Sequence, residues 1–128
     1  MDRRMAIVGS FLGLTAIILG AFGAHALKVR LSVEQLSSFE TGVKYQMYHA
    51  LFLLVLSFNS HCTEKLKKTL FYLIVSGVLL FSGSIYLLST RVISGFELKF
   101  LGPITPIGGL LLIVAWIFLF MHFIKKKI

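Results

Sequence analysis

Two histidines, one amide and three tyrosines carry the chemistry available within the long apolar stretches of this chain: His25, Tyr45, Gln46, Tyr48, His49 and Tyr86. Imidazole nitrogens ligate metals or haem iron, and phenol or amide groups hydrogen-bond a lipid head group, a quinone or a neighbouring helix. Gly42, Gln46 and His49 follow an i, i+4, i+7 path on one helix, and Leu53 returns that face to apolar packing. The set could line one polar pocket, hold a ligand, or pair across helices as packing contacts. A single-metal site of His25, Glu40 and His49 fails on distance. Glu40 and His49 lie about 13 Å apart along one helix, whereas zinc ligands stand about 2 Å from the ion. Two-histidine haem ligation needs both rings at one height, which the expected depths of His25 and His49 do not favour.

Nucleophilic catalysis finds no support. The chain has no G-x-S-x-G, no H-E-x-x-H, no P-loop and no dinucleotide fingerprint. Ser57, Ser60 and His61 are close in sequence, but only Glu64 offers a nearby carboxylate. The expectation is a non-enzymatic protein with no catalytic, metal-binding or cofactor-binding residues. A single cysteine, Cys62, excludes an intrachain disulfide and a Cys-only metal site, and reads as a small interface residue.

The elements that position these groups follow from composition. Of 128 residues, 57% are hydrophobic and 14% charged, with a mean hydropathy of +0.90. A soluble domain carries about 25% charged residues, and one this apolar would expose large sticky patches to water. The net charge of +8 comes from 13 Lys+Arg against 5 Asp+Glu. Those charges cluster at the ends of apolar runs instead of striping one helix. They therefore read as membrane-topology flanks that touch anionic lipid, not as a nucleic-acid surface.

Spans are expected over about 5–27, 42–60, 69–90 and 101–124, within one domain covering 1–128. A spanning helix needs about 20 apolar residues, and the second run reaches that length only by starting near Gly42. Ser32 and Gln35 are spaced as a capping box. Residues of about 32–42 then read as a short interfacial helix, continuous with the second span or leading into it through Gly42. Arg3-Arg4, the apolar run and Ala24-His25-Ala26 mimic a signal peptide, but the run exceeds a usual signal core and is expected to be retained.

Short links make the expected fold an all-α, integral-membrane, antiparallel four-helix bundle. Gly9 and Gly13 form a G-x-x-x-G pair extended by Ala16, Gly20 and Ala24, a face for helix packing within the chain, the favoured use, or between chains. Gly77 and Gly83 do not share that spacing and read as softening the third span. The N-terminus, the 61–68 loop and the C-terminal tail together carry eight positive residues, including Lys126 and Lys127. The other side, where Glu97 falls, carries five, Lys28, Arg30, Lys44, Arg91 and Lys99. Positive-inside reasoning places both termini in the cytoplasm and the polar candidates in the outer half of the bundle. His61 and His122 fall near the cytoplasmic interface.

The strings Gly20-Ala-Phe-Gly-Ala-His25-Ala-Leu27 and Thr41-Gly42-Val-Lys-Tyr45-Gln46-Met-Tyr48-His49-Ala50-Leu51 resemble the bacterial domain-of-unknown-function family 423. These are small inner-membrane proteins to which an animal transmembrane protein, number 256, is similar. The resemblance covers essentially the whole chain. It implies a four-span inner-membrane protein with no established activity, and it adds Glu40 to the polar outer-side cluster of His25, Tyr45, Gln46, Tyr48, His49 and Tyr86. The expected function is binding of membrane lipids or a protein partner, which includes a second copy of the chain. A small-solute channel or transporter, or a quinone- or haem-associated subunit, is the alternative.

Overall fold

A computed structural model describes residues 1–95 and 99–125. Glu97, Lys126 and Lys127, which entered the charge count, lie outside the described residues. The described chain is all helix and turn: α1 (Asp2–Phe22), a π-helical turn (Gly23–Leu27), α2 (Val33–Ser57), α3 (Glu64–Ser89), the single turn α4 (Arg91–Ser94), a 3₁₀ turn (Lys99–Leu101) and α5 (Ile104–Lys125).

Among the described residues three stretches are long and apolar enough to cross a membrane: Asp2–Leu27, Glu64–Ser89 and Lys99–Lys125. The expected second span is not among them. At 25 residues α2 has the length, about 38 Å of helix. Its composition is too polar, because Glu40, Lys44, Gln46 and His49 lie along it. Hydropathy counts Gln46 and His49 as costs, although both are buried on the inner face of the helix.

Of the two arrangements expected for residues 32–42, the structure has the continuous one: they open α2 itself. The capping box is present. Gln35 N–H donates to Ser32 Oγ at 3.1 Å, and Ser32 N–H donates to Gln35 Oε1 at 3.0 Å. From there the helix runs through Gly42 without a break, because that glycine is a packing position. It is buried, and a side chain there would run into the Tyr86 ring 2.8 Å from its Cβ.

Packing runs along a row. α1 lies against α2, α2 against α3, and α3 against α5, with no comparable contact between α1 and α5 among the described residues. The small-residue face of α1 makes the first seam. A Cβ on Gly9 would stand 3.0 Å from the Ala50 carbonyl oxygen and 3.2 Å from Leu53 Cβ, so the pair of glycines serves packing within the chain. A second seam was not visible in the spacing. Gly77 of α3 faces α5, where its Cβ would stand 2.6 Å from a Leu112 methyl and 3.2 Å from the Gly108 carbonyl oxygen. Gly77 is thus a contact point and not a soft spot.

Contacts at the two ends show which segments meet there. At one end Lys67 Nζ, on a buried lysine, donates to Asp2 Oδ1 at 2.9 Å. Glu64 pairs with the Met1 amino group at 2.8 Å, and His122 Nε2 lies 2.9 Å from the His61 carbonyl. The start of α1, the α2–α3 link and the end of α5 therefore meet there. Cys62 is buried in the apolar core at this end, with Met5, Leu70 and Phe71. At the other end Leu27, Leu31 and Phe39 form a smaller core against Tyr86 and Leu36, and Ser84 bonds Thr105 across α3 and α5.

Candidate functional site

The polar residues of α2 separate into two bonded sets. Gln46 points toward the α1–α3 side. Its Nε2 donates to the Leu12 carbonyl at 2.9 Å and to Thr15 Oγ1 at 2.7 Å, and its Oε1 accepts from the Tyr86 hydroxyl at 2.6 Å. A carbonyl can only accept, so the amide orientation is fixed by Leu12. One side chain thus joins three helices. Four residues earlier on α2, the Gly42 carbonyl accepts from Ser82 Oγ at 2.8 Å, and the Phe39 ring meets the Tyr86 ring at 5.1 Å between centroids.

His49 turns toward α5. Trp116 Nε1 donates to His49 Nε2 at 3.1 Å. Indole nitrogen is donor only, so Nε2 carries no proton there. Nδ1 then holds the ring proton and donates to the Tyr45 carbonyl at 2.7 Å. Both imidazole nitrogens are used, and the ring is neutral in this arrangement. Phe52 supports the pair edge-on, its centroid 4.7 Å from that of Trp116.

Trp116 also divides the groove between α2 and α5. On one side lies a cavity of about 580 Å³ walled by Tyr45, His49, Phe81, Gly109, Leu112 and Trp116. On the other lies one of about 310 Å³, between Tyr48, Phe52 and Leu119. The larger falls in the range of small-molecule sites, about 300–1,000 Å³, and its walls are almost wholly apolar and aromatic.

The seven sequence candidates do not form one cluster. Gln46 joins Tyr86; His49 joins Tyr45 through its carbonyl. Tyr48 is exposed, 5.5 Å from Tyr45 between ring centroids. Glu40 is exposed on α2. His25 is exposed on the π-helical turn. Its neighbour Gly23 packs on Phe39, ten residues before His49 and so about 15 Å from it along α2. The two histidines are not brought together. Among the described residues no three His, Cys, Asp or Glu side chains gather as a metal site would require. Sequence reasoning missed Thr15, Ser82 and above all Trp116. The available signal was that this is the single tryptophan of the chain, placed mid-helix where its N–H must find a partner.

Comparison with known proteins gives a consistent result. The family described as "Protein of unknown function (DUF423)" matches residues 19–109, a stretch that holds Tyr45, Gln46, His49 and Tyr86 but not Trp116. The chain is similar to a UPF0382 membrane protein of Staphylococcus aureus, 41% identical over 123 residues, 96% of this chain and 97% of the relative. It is likewise similar to the UPF0382 membrane protein YwdK of Bacillus subtilis, 41% identical over 121 residues, 93% of this chain and 94% of the relative. A third, from Staphylococcus saprophyticus, is 40% identical over 113 residues, 88% of this chain and 90% of the relative. No solved structure matches the chain.

Proposed function

The chain belongs to the DUF423 family of bacterial membrane proteins, and from that premise we propose that it is a non-enzymatic, four-pass protein that binds a membrane lipid. The carrying observation is the α2–α5 groove. It offers shape and an apolar wall, yet two of its polar groups, His49 and Trp116, are bonded to each other. A histidine with both nitrogens occupied is no free base, so the groove is built to hold a guest, not to transform it.

The meeting of the ends supports four passes. α1 and α3 both begin at the end marked by the Asp2–Lys67 pair. If both cross the bilayer, α2 is the segment that returns between them. Two of its polar side chains support that return, since Gln46 and His49 are buried and bonded, as a helix in lipid requires. The positive residues at the same end support a cytoplasmic location for both termini. Cysteines introduced singly by Arg3→Cys, Arg30→Cys and Lys125→Cys, in a Cys62→Ser background, test the orientation. A membrane-impermeant maleimide is expected to label only Arg30→Cys on intact cells; labelling of Arg3→Cys or Lys125→Cys before permeabilisation would reverse it.

Lipid binding is tested by native mass spectrometry of the full chain released from nanodiscs of mixed bacterial lipid. The expected spectrum shows a lipid retained at fixed stoichiometry. A bare chain, or adducts in the same proportions as the surrounding lipid, overturns the reading. A retained protein in place of lipid would replace it with partner binding.

A further inference from the structure

Resting on the four-pass reading, we propose that α2 pairs with α2 of a second copy of the chain through a charged stripe on its outward face. The stripe runs along Ser37, Glu40, Lys44, Tyr48, Leu51 and Val55, all exposed. They lie three or four residues apart and so share one side of the helix. The opposite side is buried, with Gly42, Gln46, His49 and Leu53 turned inward. The half of the stripe toward Ser57 is apolar, and the half toward Val33 carries the charges.

Depth makes those charges costly. Val43, beside Lys44, packs on Gly20 of α1, seven residues before the apolar run of that helix ends at Leu27, about 10 Å along the axis. Phe39, beside Glu40, packs on Gly23, about 6 Å from the same end. Both charges therefore stand at the level of apolar residues on the neighbouring helix. They do not pair within the chain, since the ion pairs among the described residues are Met1 with Glu64 and Lys67 with Asp2. Hydrocarbon offers neither charge a partner, so lipid is the wrong cover for this face.

A second copy supplies what lipid lacks. Copies inserted alike share one orientation, so a two-fold axis stands along the membrane normal and the two α2 helices run parallel. Glu40 and Lys44 are opposite in charge and one turn apart, about 6 Å. On parallel helices Glu40 then comes beside Lys44 of the partner subunit, symmetry repeats the pair, and the four charges sum to zero. Leu51 and Val55 continue the contact toward the cytoplasmic side. A partner with charge of one sign would leave one of the two groups unpaired.

Leu51→Cys in a Cys62→Ser background is oxidised with copper phenanthroline in native membranes, with Leu110→Cys, exposed on α5, as the control. A disulfide-linked dimer is expected for the first and not the second, and native spectra from nanodiscs are expected to show two 14.3 kDa chains together. Glu40→Lys and Lys44→Glu each set like charges across the axis and are expected to weaken self-association by roughly tenfold or more. Expressed together with different tags, the two variants are expected to pair with each other and restore the cross-link, because one stripe is then cationic and the other anionic. That rescue also shows that both variants fold.

Recovery only in a chain carrying both substitutions, with none in the mixture, means that Glu40 and Lys44 pair along their own helix, and overturns the contact between copies. Unchanged cross-linking in both reversals overturns it too, as does equal linking of Leu51→Cys and Leu110→Cys. A link from Leu51→Cys to a different protein replaces the second copy with a foreign partner. A monomer in a chain whose termini both label from the inside overturns the pairing and leaves four passes standing. Termini that label from opposite sides overturn both, because α2 then does not return across the bilayer between α1 and α3.

Discussion

Gly108→Leu is expected to detach α5 from α3. A Cβ at position 108 would stand 2.7 Å from the Leu80 carbonyl carbon and 2.9 Å from the Gly77 carbonyl oxygen, and would press on the Phe81 nitrogen as well. These are backbone atoms, which cannot rotate aside as a side-chain end can. Overpacking commonly costs about 1–3 kcal/mol, and here the two helices must separate along their whole seam, which puts the loss at the upper end or beyond. The His49–Trp116 hydrogen bond depends on where α5 lies, so its loss should accompany the separation. Thermal unfolding in detergent measures the first effect, and tryptophan emission the second. Gly109→Ala, one residue on, is the control expected to change neither. Equal stability of the two variants would show that the seam is looser than described.

Gln46→Leu is expected to lower stability by about 1–3 kcal/mol, since it removes three hydrogen bonds and leaves the Tyr86 hydroxyl without its acceptor. Single hydrogen bonds between membrane helices are worth about 0.6 kcal/mol on average and up to about 1.7; the larger figure here reflects a buried group that serves three helices. Tyr86→Phe removes the other half of the closest of these bonds. The double variant should therefore lose less than the sum of the singles, with a coupling of about 0.6–1.7 kcal/mol. Denaturant titration of the four proteins gives that number. Strict additivity would mean that Tyr86 and Gln46 are neighbours without being partners.

Much of the helix content was legible because its causes are local. The apolar runs, the Ser32–Gln35 cap and the Gly9–Gly13 face all act within a few residues, and a single helix displays them. Gln46 and His49 were visible as an inward polar stripe for the same reason. What periodicity reports is the face a residue occupies, not the helix that covers it. Gln46 and His49 are three residues apart yet face different neighbours, so one expected cluster became two sets. Trp116 stands 67 positions from the histidine it bonds, and no spacing rule links them. Gly77 and Gly108 face each other from different helices, so neither shows the repeat that marks a glycine seam within one helix. The second span failed a hydropathy test for a related reason: composition charges each polar residue as though it met lipid, whereas Gln46 and His49 meet partners.

The row of helices has a consequence for how the chain is made. Every broad interface joins one long helix to the next in sequence: α1 with α2, α2 with α3, α3 with α5. Loop closure between such neighbours costs little entropy, and contacts of short sequence separation form early. In order of synthesis, each long helix after α1 has its main partner already made. None waits for a distant segment. The bonds of Gln46 to α1 and to α3 can then be completed in order of synthesis, first at Leu12 and Thr15, then at Tyr86. Trp116 arrives after all of these, so the groove it divides is the last part of the molecule to take shape.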